Sequence, residues 1–129
     1  MAQQTLKTLQ EAVDVLAFGA HPDDVELSAG GTLAKLASQG KRCAIVDLTR
    51  GELGTRGSAE LRDREAAASA SILGLVHREN LGLADGFFEV NEASLRLVVS
   101  AIRRLRPSVV LANALEDRHP DHGRGAELV

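Results

Sequence analysis

"VDVLAFGAHPDDVELSAGG", Val13 to Gly31, joins two different patterns. Residues 13–19 form an apolar run too short for a helix and closed by glycine, which predicts a buried strand. From Asp24 to Gln39 the apolar residues Leu33, Leu36 and Ala37 fall at helical spacing, and Gly40 supplies the stop. Between strand and helix stand an imidazole, a proline and two adjacent carboxylates, His21 to Asp24, with a third acid, Glu26, close behind. Such a cluster is costly to bury unless it is paired or binds a cation, so its partners are expected elsewhere in the chain.

The pattern then repeats. "RCAIVDLT" (42–49) predicts a second strand, and "RGELGTRGSAE" a loop of about ten residues, longer than the common 4 to 6. A helix fits 60–73, where Ala66, Ala70 and Leu73 share a face and Gly74 follows as a C-terminal cap. Its charged residues Glu60, Arg62, Asp63, Arg64 and Glu65 read as a solvated face. "VHRENLGL" (76–83) is a weaker strand, and His77 reads as a solvated residue at its end. Leu95, Val98, Val99, Ile102 and Leu105 trace one stripe of a helix over 92–105, ended by Pro107. "SVVLANA" (108–114) is a fourth strand. Alternating strands and helices predict βαβ units: an α/β fold with a mainly parallel sheet and helices on both faces.

The chain has 129 residues, 44% of them hydrophobic, the size and content of a single domain spanning 1–129. A formal charge of −3 without a Lys/Arg run excludes the basic footprint of a nucleic-acid or anionic-membrane partner. No apolar stretch approaches the roughly 20 residues of a membrane span, and "MAQQTLKTLQEA" is too polar for a secretory signal. A cytoplasmic protein acting on small molecules is expected. The one cysteine, Cys43, reads as a small buried residue.

In open α/β sheets ligands bind beyond the carboxyl ends of the strands, where strand order reverses, and the first and fourth strands commonly flank that point. "HPDD" (21–24) leaves the first strand and "LEDRHPDH" (115–122) follows the fourth. His21, Asp24 and one or both of His119 and His122 therefore offer the donor atoms of a catalytic zinc site with three protein ligands. Iron(II), cobalt or manganese would also suit such a site. Asp23 and Asp121 remain for moving protons or orienting imidazoles. A Gly30–Gly31 pair near a helix start costs about 1 kcal/mol per glycine relative to alanine, which close approach to substrate or to a neighbouring strand would explain.

"AHPDDVE" followed by "GG", with the later "HPDH", resembles the LmbE-like, or phosphatidylinositol-glycan L-type, zinc deacetylase superfamily. "TRGELGTRG", the R-x-x-E-A of Arg62 to Ala66 and "LGLADG" resemble especially its bacillithiol-biosynthesis deacetylases. The resemblance implies a Rossmann-like fold and hydrolytic removal of acetyl from an N-acetylglucosamine conjugate, N-acetylglucosaminyl malate above all. It further implies His21, Asp24 and His122 as zinc ligands and Asp23 as general base. His119 becomes the oxyanion-stabilising or acid histidine, and Asp121 the residue that orients the histidine pair. Arg56 and Asp85 match substrate contacts. Members of the family often assemble, so a homo-oligomer is expected, and they continue well past the helix after "HPDH". Relative to them the chain reads as truncated, with His122 on a two-turn helix that frays unless packing holds it.

Two other classes fit parts of the sequence. A dinucleotide-binding module would need G-x-G-x-x-G where this chain has "GAHPDD". A catalytically idle metal-binding or assembly subunit would carry the same ligands without turnover.

Overall fold

The computed structural model describes residues 12–129; the N-terminal stretch read above as too polar for a secretory signal lies outside them, save Ala12. Strand β1 (Val15–Gly19) leads to helix α1 (Asp24–Ser38), β2 (Cys43–Thr49), α2 (Ala59–Leu73) and β3 (His77–Leu83). Then follow α3 (Glu92–Leu105), β4 (Val109–Leu111) and α4 (Pro120–Leu128). The four strands form one parallel sheet in the order β3-β2-β1-β4. The chain steps outward from β1 to β3 and then returns to the far side of β1. The reversal lies between β1 and β4, which is where a parallel sheet opens a crevice.

Alternation along the strands divides the core between two layers. Val15 and Ala17 of β1, with Cys43 and Ile45 of β2, pack against Val25 and Leu33 of α1. Leu16, Phe18, Ala44, Val46 and Leu48 face the other way, against Val98, Ala101 and Leu105 of α3 and Leu128 of α4. Cys43 is fully buried, as its apolar setting implied.

Three local readings need correction. The stripe on α3 is turned by about one position: Ser94, Val98, Ala101 and Leu105 are buried, whereas Leu95 and Val99 are exposed. The cause is a capping box, in which Asn91 Oδ1 accepts from Ser94 N and Ser94 Oγ accepts from Asn91 N at 3.0 Å, while Ser94 Oγ also donates to Glu89 O at 2.7 Å, pinning Ser94 inward. Strand β4 stops at Leu111, because Asn113 leaves the ladder and its Oδ1 accepts the Ala20 N–H at 3.1 Å. Gly30 and Gly31 do not mark a close approach, since a Cβ at Gly30 would lie 3.8 Å from its nearest neighbour and one at Gly31 would meet nothing within 4 Å.

Helix α4 is short, at nine residues, but its last turn is held: Leu128 joins the core, and Gly125 lies so close to Leu48 that a Cβ would come within 3.0 Å. Packing restrains the segment that carries His122. Val109 and Val110 of β4 are substantially exposed, as is Leu115 beyond it. No helix among the described residues is long and apolar enough to cross a membrane.

Candidate active site

The end of β1 delivers His21 into the crevice, and the turn that follows starts α1 with Asp24 in its first turn. Asp23 stands at the N-cap of α1, but its side chain caps nothing and stays about half exposed. From the other side, the loop after β4 brings His119 to the N-cap of α4, where its Nδ1 accepts the Asp121 N–H at 3.1 Å. Pro120 at N1 suits this position, having no N–H to satisfy and a φ already helical. His122 sits one turn on. The two clusters a hundred residues apart thus meet.

His21 Nδ1 lies 3.6 Å from Asp24 Oδ2, and His122 Nε2 lies 3.2 Å from the same oxygen. One donor atom from each of His21, Asp24 and His122 falls within 4.8 Å of the others, and the same holds for His21, His119 and Asp121. The rings of His21, His119 and His122 cluster with centroids 4.8 to 5.5 Å apart. His21 directs its other nitrogen, Nε2, at Asp121 Oδ2 (2.8 Å) and Asp85 Oδ1 (3.1 Å). With Nε2–H given to these carboxylates, the Nδ1 lone pair of the neutral ring faces the Asp24–His122 side, which is how a carboxylate orients a metal-binding imidazole.

The electrostatics follow from this crowding. Burial opposes charge on His21, but hydrogen bonds to Asp24 and Asp121 and the charges of Asp24 and Asp85 override it and push His21 up to about 9. Burial also works against the Asp24 carboxylate, yet hydrogen bonds from the His21 side chain and backbone and the charge of His122 bring it down to about 2. Asp23 moves the opposite way: burial and the neighbouring Asp24 charge raise it, and Arg62 only partly offsets them. A raised carboxylate is a better proton acceptor than an ordinary one.

Each predicted site residue has a place. His21, Asp23, Asp24, Asp85, His119 and His122 line one open cleft of about 500 Å³, with Leu53, Gly54, Gly86 and Arg62. Asp121 is fully buried beneath it and orients His21, whereas only its backbone N–H reaches His119, so the expectation that its carboxylate serves the His119–His122 pair is corrected. Its remaining lone pairs take the Gly86 N–H at 2.9 Å and Arg124 at 2.7 Å. Asp85 turns one oxygen to His21 and the other to the Leu53 N–H at 2.8 Å, which anchors the 50–54 loop. Arg56 is exposed and stands outside the cleft.

Two arginines were hidden in the sequence. Arg62, read as part of a solvated face, instead folds over the loop to donate to Gly51 O at 3.0 Å and brings its guanidinium within 3.6 Å of Asp23 Oδ1. Gly51 makes room: its φ is +62°, and a Cβ there would lie 2.0 Å from the guanidinium. The R-x-x-E-A spacing was the available signal. Arg78, on β3, is nearly fully buried and answers the third acid of the opening stretch, binding Glu26 at 3.0 Å and Asp47 at 2.8 and 3.0 Å. His77 is also corrected: it is only partly exposed, with Nε2 3.5 Å from Glu79 Oε1, the same oxygen that Arg104 binds at 2.8 Å.

The chain is similar to known proteins along most of its length. Residues 16–129 match the family described as PIG-L, GlcNAc-PI de-N-acetylase. The uncharacterized deacetylase YaiS of Escherichia coli is 34% identical over 124 residues, covering 91% of this chain and 66% of YaiS. The conserved protein TT1542 from Thermus thermophilus superposes with a TM-score of 0.85 at 46% identity, over 90% of this chain and 53% of that one. N,N'-diacetylchitobiose deacetylase from Pyrococcus horikoshii gives 0.83 at 30%, over 91% and 48%. The 4-carboxy-2-hydroxymuconate hydratase of Pseudomonas putida gives 0.80 at 30%, over 92% and 53%. The chain thus spans about half to two-thirds of the length of these relatives. With its sequence matched from β1 onward and its sheet superposed on theirs, the chain belongs to the PIG-L, GlcNAc-PI de-N-acetylase family.

Proposed function

We propose that the chain carries the catalytic site of a metal-dependent hydrolase, an N-deacetylase that releases acetate from an N-acetylglucosamine conjugate and leaves a free amine. The observation behind this reading is the convergence of His21, Asp24 and His122 in a cleft that also holds Asp23 and His119. Two imidazoles and a carboxylate are a catalytic zinc donor set, and His21 has the backing carboxylate such a ligand requires. When bound there, zinc supplies Lewis acidity and a water whose pKa falls toward about 7.

The remaining roles belong to side chains. Asp23, uncommitted as a cap and raised by its surroundings, takes a proton from the attacking water. His119 keeps Nδ1 as an acceptor for the Asp121 N–H, so its neutral tautomer presents Nε2–H as a donor. That donor offsets charge growing on the acetyl oxygen, and the proton that Asp23 took from the water is passed on to the departing nitrogen. Arg62 is placed to bind an anionic or hydroxyl group of the substrate and to hold Asp23.

N-acetylglucosaminyl malate is the proposed substrate, supported by the resemblance of the 49–57 and 81–86 segments, of which Leu53, Gly54, Asp85 and Gly86 line the cleft. Assembly into a homo-oligomer belongs to the same reading and is supported by the exposed Val109, Val110 and Leu115. The hydratase relative supports a second reading, addition of water to a carbon–carbon double bond by the same base. Zinc-loaded protein incubated with a panel of N-acetylglucosaminides and with an unsaturated hydroxy acid separates them. Free amine with one equivalent of acetate is the expected result; loss of double-bond absorbance without amine supports the hydratase. Bound metal with neither product leaves an idle metal-binding subunit.

A further inference from the structure

The loop between β4 and α4 carries an acid to which the roles above give no task. Asp117 Oδ1 accepts the His119 N–H at 3.0 Å, and Asp117 Oδ2 lies 3.2 Å from His122 Nδ1. The first contact is an ordinary turn made by an aspartate with the backbone two residues on. The second is not explained by the turn. It reaches the far nitrogen of the one proposed ligand whose Nε2 faces Asp24. Asp117 itself is absent from the cleft wall, so it touches His122 from behind.

From this geometry we infer that Asp117 is a positioning residue for metal binding: it fixes His122 as the Nδ1–H tautomer and so presents an unprotonated Nε2 to the site. The inference rests on the metal site proposed above, though not on the identity of the substrate. It gives the site two backed imidazoles of opposite sense. His21 gives Nε2–H to Asp121 and offers Nδ1, while His122 gives Nδ1–H to Asp117 and offers Nε2. Neutral imidazole has one donor and one acceptor nitrogen, so whichever nitrogen the carboxylate claims leaves the other for the metal.

Asp117→Asn is the decisive variant. The His119 N–H is an obligatory donor and holds the amide oxygen, so the turn survives. The amide NH₂ then faces His122 Nδ1, donates to it, and favours the tautomer with the proton on Nε2, the wrong one for binding. Zinc affinity is measured by competition with a chromophoric chelator on wild type, Asp117→Asn and Asp117→Ala, alongside the Tm of each metal-free protein. Loss of a backing partner typically weakens binding by about 10- to 100-fold. We expect that loss in both variants, with an unchanged metal-free Tm for Asp117→Asn. In zinc-loaded wild type, NMR should show a downfield, slowly exchanging His122 Nδ1–H that moves upfield in the variants. Zinc affinity of Asp117→Asn within about twofold of wild type would overturn the inference and leave the metal site standing. An equal fall in metal-free Tm and in affinity would make Asp117 a turn residue only, and wild type that binds no zinc would remove the inference together with the metal site.

Discussion

His21 and Asp121, a hundred residues apart in sequence, are joined by a 2.8 Å contact between Nε2 and Oδ2. The carboxylate is fully buried and also takes the Gly86 N–H and Arg124, so its position is fixed from three sides. It closes the sheet crevice from below and decides which nitrogen of His21 faces Asp24. Asp121→Asn keeps an oxygen for Arg124 but turns a donor toward His21 and the Gly86 N–H. Zinc binding should weaken by about 10- to 100-fold. Chelator competition on the two proteins checks it, and equal affinity would show that Asp121 is not the backing of His21 and that Asp85, 3.1 Å from the same nitrogen, suffices.

The metal-free protein should lose stability at both ends of the pH scale. His21 is raised from 6.5 to about 9, so its contribution is complete below 6.5 and is lost as pH rises through about 9. Asp24 is lowered from 3.8 to about 2, so its contribution is present above 3.8 and is lost as pH falls through about 2. Thermal melts of chelator-treated protein should therefore reach their highest Tm between about 4 and 6.5. His21→Gln should flatten the alkaline limb, and an alkaline slope identical to wild type would exclude His21 as its source.

Asp23→Asn should separate chemistry from binding. The side chain is uncommitted as a cap and is not among the three converging donors, so bound metal should stay near one per chain. Turnover should fall by about 100- to 10,000-fold, the usual contribution of a general base. Metal analysis and amine release on the same preparation test this. Near-normal release would transfer the proton to another acceptor.

What could be read in advance were the features with a period or a long-range match. Short apolar runs bounded by polar residues or glycine located β1 and β2 to within two residues, and "HPDD" with "HPDH" found each other because one follows β1 and the other β4. Charges on surfaces carry no such pattern. Arg62 and its neighbours Arg64 and Glu65 look alike in sequence, and only the missing side chain of Gly51 lets the first fold inward. Arg78 sits in a charged strand with nothing to reveal that Glu26 and Asp47 converge on it. The phase of α3 misled for a different reason, since a polar capping residue, Ser94, took the buried position that periodicity assigned to Leu95.

Gly31→Ala should stabilise the fold. Gly31 lies within α1, a Cβ there meets nothing within 4 Å, and the residue stands outside the cleft wall. Alanine is favoured over glycine inside a helix by about 0.8 to 1 kcal/mol. The expected result is a Tm higher by a few degrees with unchanged amine release. A lower Tm, or a loss of turnover, would restore a close-approach role for this glycine.

Arg78→Met should be the most damaging of these substitutions, although it lies away from the metal donors. The guanidinium, 6% exposed, is shared between Asp47, 3% exposed, and Glu26, and it ties β3 to β2 and α1. Burial already raises the Asp47 carboxyl, with Arg78 as the main opposing influence, so removing the cation leaves a buried carboxylate without a counter-charge. Breaking one side of a buried pair costs about 3 to 5 kcal/mol, whereas exchanging both partners for uncharged groups is far less harmful. Urea unfolding should accordingly place Arg78→Met well below wild type and Arg78→Met/Asp47→Asn above the single variant. Because Glu26 is two residues from Asp24 on the same helix, zinc affinity should fall in the single variant as well. A cost under about 1 kcal/mol, the range of an exposed pair, would show that water reaches this cluster and that it does not hold α1 in place.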